Sequence, residues 1–426
     1  MTNSIVPAEA SALEQRKPRL FDQLAKKLLF SLLRGLHRGE LTLIDGSVRR
    51  TFGEKSNKFP LDATITVHHP HFYSSIVFGG SVGASEAFMA GQWSTDDLTT
   101  VARITILNRE VFEGIEKGLA RLTAPLHMFV HLLRDNTRKG SRLNIAAHYD
   151  LGNDFYELFL DETLTYSCGI FEREDSTLKE ASLAKYDRIC QKLDLSSEDH
   201  LIEIGTGWGA FAIYAAQKFG CRITTTTISA AQHDLAKERI DEAGVAQKVE
   251  LLLKDYRDLR GKYDKLVSIE MIEAVGHQYF NTFFRSCSNL LKENGMMLLQ
   301  AITMTDQVFD RHKRNVDFIK RYIFPGSCIP SIAAMSRSIA RASDLKLVHL
   351  EDITPHYART LRTWRERFFA NIDKVRDLGL PETFIRMWEY YLCYCEAGFT
   401  ERYLGDVQML LTKPLCRRPP ILPTLT

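Results

Sequence analysis

The chain has 426 residues, 45% of them hydrophobic and 25% charged, with a formal net charge of +2. That length and composition hold a substantial core in two domains and exclude global disorder, while the small net charge argues against a dedicated nucleic-acid binder. The eight cysteines, at 168, 190, 221, 287, 328, 393, 395 and 416, have neither zinc-ligand spacing nor a compact disulfide pattern, which points to a reducing cytoplasm and no metal.

The start of the chain, up to about residue fifteen, reads as disordered and lacks the apolar core of a signal peptide. No apolar run approaches the ~20 residues of a bilayer span, so membrane contact is expected to be peripheral. Leu20, Phe21, Leu24, Leu28, Leu32 and Leu36 recur at helical spacing beside Arg19, Lys26, Lys27, Arg34 and Arg38. This predicts an amphipathic helix that either lies on anionic lipid or packs on its own domain. Strand signals follow from Leu41 to Val77, with an Asp45-Gly46 turn and a clean alternation over Ala63 to Val67. Gly79 to Gly83 lacks the Lys-Ser/Thr of a phosphate-binding loop and is expected to be a turn before a helix. Residues 98–133 read as helical, and a charged linker is expected near 134–144. The expected division is a smaller N-terminal α+β domain over 1–140 and a larger domain over 141–426.

Beyond Ile145 strands and helices alternate, which predicts an α/β fold with a parallel sheet covered on both faces. Strands are expected over 200–204, 222–228, 248–253, 265–269 and 296–301, with closing strands over 345–352 and 406–413. The turn after the first carries Glu203, Gly205, Gly207 and Gly209 ahead of a helix over 211–219. Glycine suits a place where a ligand must approach the backbone more closely than a Cβ permits. No pyrophosphate-binding G-x-G-x-x-G follows, and an acid lies two positions before the first glycine, so S-adenosylmethionine fits better than NAD. After the second strand the polar contacts fall to Thr227 and Gln232. After the third, Asp255 suits an adenine amino group and Tyr256 the ring.

Taken together, His148 to Phe155, Thr165 to Cys168, Glu203 to Gly209, Thr227 to Gln232, Asp255 to Asp258, Ile272 to Gly276 and Tyr322 to Gly326 resemble the cyclopropane-fatty-acyl-phospholipid synthase family, which includes the mycolic acid cyclopropane synthases. The resemblance implies a class I, Rossmann-like S-adenosylmethionine-dependent methyltransferase fold. It implies methyl transfer to the cis double bond of an unsaturated acyl chain in a membrane phospholipid, then proton loss and ring closure. A methyl- or methylene-branched product and a non-catalytic lipid-binding protein are the alternatives. The family's bicarbonate base would be held at positions matching Cys168, Glu273, Ile302 through its backbone, and Tyr357, with Cys395 a further cysteine near the site. Tyr166, Ser167, the glycine loop, Thr227, Gln232, Tyr256 and Arg257 match cofactor-binding positions. Gln300 stands where many members carry histidine, and it cannot take up charge near neutral pH as imidazole can. A homodimer in the cytoplasm, transiently at the inner face of the membrane, completes what the resemblance implies.

Aromatic walls are expected from Phe155, Tyr156, Phe159, Tyr322 and Phe324, for which core packing is the alternative reading. The segment between the fifth strand and Leu345 mixes Phe309, Phe318, Ile319 and Ile323 with basic residues, and is read either as an acyl-chain and headgroup contact or as a helical subunit contact.

Overall fold

A computed structural model of the chain describes residues 20–112, 136, 140–141 and 152–422. The expected disordered start, most of the expected linker and the 148–151 part of the first resembling motif lie outside these residues. The fold comprises two compact units. One gathers the described part of Met1–Leu133 with Asn315–Ile323 and Trp364–Tyr403; the other comprises the described parts of Arg134–Arg314, Phe324–Thr363 and Leu404–Thr426. The division is therefore not a single cut of the chain.

In the first unit the strands β1 (Gly39–Asp45), β2 (Val48–Glu54), β3 (Asp62–Val67) and β4 (Trp93–Thr95) form a sheet in the order β2-β1-β3-β4. Asp45 and Gly46 turn the chain from β1 into antiparallel β2, with Gly46 at φ +58. Alternate residues Leu41, Leu43, Ala63, Ile65 and Val67 are buried, as period-two patterning requires. The helix Leu20–Leu33 buries Ala25, Leu29 and Leu33 and exposes Leu20, Phe21, Leu24 and Leu28.

Gly79 to Gly83 departs from expectation. The segment lies inside the helix His71–Met89, which kinks at Gly80 (φ 58, ψ −141). At Gly83 a Cβ would come within 2.0 Å of the Ser75 carbonyl oxygen. The glycines therefore let two helical stretches close up across a break, rather than making a turn ahead of a helix.

The second unit is built on a seven-stranded sheet. Its strands are β5 (His200–Ile204), β6 (Arg222–Thr227), β7 (Val249–Leu253), β8 (Tyr263–Ile269), β9 (Leu291–Met304), β10 (Lys346–Asp352) and β11 (Leu404–Thr412), in the order β10-β11-β9-β8-β5-β6-β7. The pairs from β9 to β7 are parallel, and β11 and β10 close one edge antiparallel. Central strands are apolar almost throughout: Leu201, Ile202, Leu266, Val267, Leu298 and Leu299 are all fully buried. Helices Ala210–Phe219, Ala230–Glu242 and Phe280–Leu290 connect the parallel strands. Strand order reverses at β5, so the crevice for a ligand opens at the carboxyl ends of β5 and β8.

Candidate active site

The turn leaving β5 lines a cleft together with Tyr166, Ser167, Glu203, Thr227, Gln232, Asp255, Tyr256, Arg257 and Glu270. Gly207 sits at φ +53, and a Cβ built there meets nothing within 4 Å, so the backbone is bare toward the cleft. Gly209 differs: a Cβ there would lie 3.3 Å from that of Ala236, which makes it a packing glycine. Glu203 is buried and accepts a hydrogen bond from Thr225 Oγ1 at 2.6 Å; burial pushes its carboxyl up to about 8. Thr227 Oγ1 donates to Gln232 Oε1 at 2.9 Å, joining the end of β6 to the next helix. Arg257 grips Asp255 with Nη2 and Nε at 2.7 and 2.8 Å. Tyr256 lines the same wall, its buried hydroxyl without a hydrogen-bond partner among the described residues. A bare glycine turn, a buried acid and an orphaned phenol suit a nucleoside carrying a positive charge, so the residues fit S-adenosylmethionine.

At the carboxyl ends of β8 and β9 the cleft meets a cluster of acids. Glu270, at φ +48, turns its carboxylate into a ring of donors. Cys168 N–H and Gln300 Nε2 donate to its Oε1 at 2.9 and 2.8 Å, and the Tyr357 hydroxyl donates to its Oε2 at 2.6 Å. Glu273 follows in the short turn Ile272–Ala274, where its Oε1 accepts from Ile302 N–H at 2.6 Å and its buried Oε2 has no partner among the described residues. Burial, then the charge of Glu270, pushes the Glu273 carboxyl up to about 8. Asp406 accepts from Gln300 Nε2 at 3.2 Å and lies in hydrogen-bonding contact with the Cys168 and Glu270 side chains. Burial, then the negative charges of Glu270 and Glu273, drives its carboxyl well upward. Lys185, fully buried, donates to Ser167 Oγ at 2.6 Å, and burial lowers its ammonium below the usual lysine range.

Five of the six expected catalytic positions thus converge: Cys168, Glu273, Gln300, Ile302 and Tyr357. Cys168 takes part through its backbone; its thiol is buried, pushed well upward by desolvation, and directed at the Gly169 carbonyl. Cys395 lies in the first unit, in the helix Glu382–Thr400, where burial raises its thiol. The groups expected to hold bicarbonate are already engaged by the chain's own carboxylates, Glu270 and Glu273. That donor set does not fit a bound anion, and no step is derived through one.

Phe155, Tyr156 and Phe159 are fully buried and pack on one another and toward Tyr166, which puts them in the core. Tyr322 belongs to the first unit, where its hydroxyl donates to Glu86 Oε1 at 2.6 Å. Three residues of the site escaped the sequence reading: Glu270, Asp406 and Lys185. Glu270 directly follows the apolar strand Tyr263–Ile269, the position at which α/β folds place ligand-facing groups, and that was the available signal.

The acids have a consequence for stability. Glu203 and Glu273 hold protons in the fold up to about pH 8, whereas in the unfolded chain they release them near 4.5. Between these values the folded state binds more protons at these two groups, so their contribution to stability is greatest below 4.5 and falls as pH rises toward 8. Urea unfolding across that window is expected to show a declining midpoint, a decline that Glu203→Gln partly removes.

A sequence profile described as mycolic acid cyclopropane synthetase matches residues 136–409. A tuberculostearic acid methyltransferase from Mycobacterium tuberculosis is 39% identical over 362 residues, covering 83% of this chain and 84% of that protein. A cyclopropane-fatty-acyl-phospholipid synthase from Escherichia coli is 34% identical over 359 residues, covering 82% and 86%. The solved structure of a mycolic acid cyclopropane synthase complexed with SAH and CTAB superposes with a TM-score of 0.60 at 33% identity, covering 64% of this chain and 98% of that one.

Proposed function

Because the chain belongs to the mycolic acid cyclopropane synthetase family, whose fold is that of class I S-adenosylmethionine-dependent methyltransferases, we propose that it methylates the cis double bond of an unsaturated fatty acyl chain in a membrane phospholipid and closes a cyclopropane ring. S-adenosylmethionine is the cofactor, and when bound it supplies an electrophilic methyl group. The observation that carries the reading is the Glu270 carboxylate, held by three donors in the wall of the cleft that also contains the glycine turn.

The residues to hold the cofactor are Tyr166, Ser167, Glu203, the turn from Gly205 to Gly209, Thr227, Gln232, Tyr256 and Arg257. The alkene π pair would accept the methyl group that the cofactor supplies, with the S–C bonding pair staying on sulfur. A proton then leaves the added carbon for Glu270, and the C–H pair closes the ring onto the second alkene carbon. Gln300, Tyr357 and the Cys168 N–H hold the acceptor still, which replaces solvent reorganisation at the moment of transfer. Glu273 and Asp406, pushed toward their neutral forms, keep competing negative charge away from Glu270.

A second reading is supported by the relative named tuberculostearic acid methyltransferase. A hydride shift before the same proton departs leaves a methylene branch in place of the ring. NMR of lipids after incubation with S-adenosylmethionine and cis-unsaturated phospholipid vesicles separates the two. Ring proton signals are expected, a methylene signal selects the branch, and unchanged lipid rejects both and favours a non-catalytic lipid-binding protein.

The same reading places the chain in the cytoplasm, as a homodimer meeting the inner face of the membrane transiently. Among the described residues no helix is long and apolar enough to cross a bilayer. The exposed Leu20, Phe21, Leu24 and Leu28, beside exposed Lys27 and Arg34, support contact in the headgroup plane. Sedimentation with anionic vesicles is expected to weaken as salt rises. Binding that ignores salt would leave apolar insertion alone.

A further inference from the structure

We propose that Lys192 and Gln408 are positioning residues that fix which end of the Gln300 amide faces Glu270. The inference rests on the reading of Glu270 as the proton acceptor and extends it outward from the cleft. The antiparallel register of β11 on β9 sets Gln408 opposite Gln300, and Asp406 opposite Ile302. All four hydrogen bonds of the resulting chain run in one direction. Lys192 Nζ donates to Gln408 Oε1 at 2.7 Å, and Gln408 Nε2 donates to Gln300 Oε1 at 3.0 Å. Gln300 Nε2 then donates to Glu270 at 2.8 Å and to Asp406 at 3.2 Å.

Direction is the point of the arrangement. A carboxamide has a donor end and an acceptor end of almost equal size, so packing alone cannot choose between its two orientations. An ammonium is donor-only. With Lys192 at the outer end, Gln408 must turn its carbonyl outward and its NH2 inward, and Gln300 must do the same. Gln300 and Gln408 are both fully buried, so no water corrects a wrong orientation. Reversed, Gln300 would press a carbonyl oxygen against Glu270, removing one of its donors and adding a repulsion. Lys192 is itself anchored by Glu351, which also takes a paired contact from Arg188.

Gln408→Glu tests this. The replacement has the same shape and pairs with Lys192, but offers Gln300 only acceptors, so the Gln300 amide turns its NH2 away from Glu270. The turnover number is expected to fall by about tenfold or more, while the dissociation constant for S-adenosylhomocysteine stays unchanged. Lys192→Met, which leaves the direction unspecified, is expected to lower turnover less, and Lys192→Arg, which keeps a donor, to recover it relative to Met. Gln408→Glu turning over at the wild-type rate overturns the proposal, as does a loss of rate matched by a loss of cofactor affinity. Should Gln408→Glu fail to fold, the Lys192 pair decides: equal rates for Met and Arg overturn it. Failure of the underlying reading looks different, because Glu270→Gln would then remain active.

Discussion

Glu270→Gln is expected to lower turnover by about 10³-fold, within the range by which a positioned base contributes, while S-adenosylhomocysteine binds as before. The substitution keeps size and backbone conformation but removes the charge and turns one acceptor into an NH2. That NH2 meets either the Cys168 N–H and Gln300 Nε2 or the Tyr357 hydroxyl. On one side it opposes two donors that cannot reverse; on the other, the tyrosine hydroxyl can rotate its proton away. The fold therefore has a tolerable arrangement and the chemistry does not. Single-turnover measurements with saturating cofactor separate the two, since a binding defect would be overcome by concentration and a missing base would not.

The second large effect is expected at Gly207. With φ +53, alanine there costs about 1–2 kcal/mol of backbone strain, but its Cβ strikes no protein atom. The methyl instead enters the space where the cofactor must lie against the backbone. Affinity for S-adenosylhomocysteine by calorimetry is expected to fall by roughly a hundredfold, about 2.7 kcal/mol, with the protein still folded. Gly209→Ala provides the contrast, because its Cβ would press on Ala236 and the helix that carries it. There the loss should show first in stability. Equal losses of affinity and of stability in both variants would mean that the two glycines do the same job.

Much of the parallel sheet was legible from the sequence because its strands are buried on both faces and read as apolar or threonine-rich runs. His200 to Ile204 matches its predicted limits, and Arg222 to Thr227 ends one residue short. The glycine turn was legible because an acid and three alternating glycines follow a buried strand and precede a helix, although of these Gly209 packs on Ala236 and Gly207 leaves the backbone open. The acid cluster was less so. Asp406 lies within β11, where a lone acid reads as an outward-facing residue, and only the pairing of β11 with β9 brings it beside Gln300 and near Glu273. Lys185 sits on a helix among Glu180, Asp187 and Arg188, so its burial against Ser167 is a tertiary fact. Gln300 looked in the sequence like a weakened anion site. In the fold it is one of three donors to a carboxylate that belongs to the chain itself, which gives the missing histidine a different meaning.

The most direct test of the account follows the methyl hydrogens. With a cofactor whose sulfonium methyl carries only deuterium, and a phospholipid with a cis double bond, mass spectrometry of the product reports whether the added carbon loses a deuteron. The account predicts that it arrives with one deuteron gone, at a rate that collapses in Glu270→Gln. A product that keeps the full deuterated methyl would contradict it, because no proton would then have passed to the carboxylate.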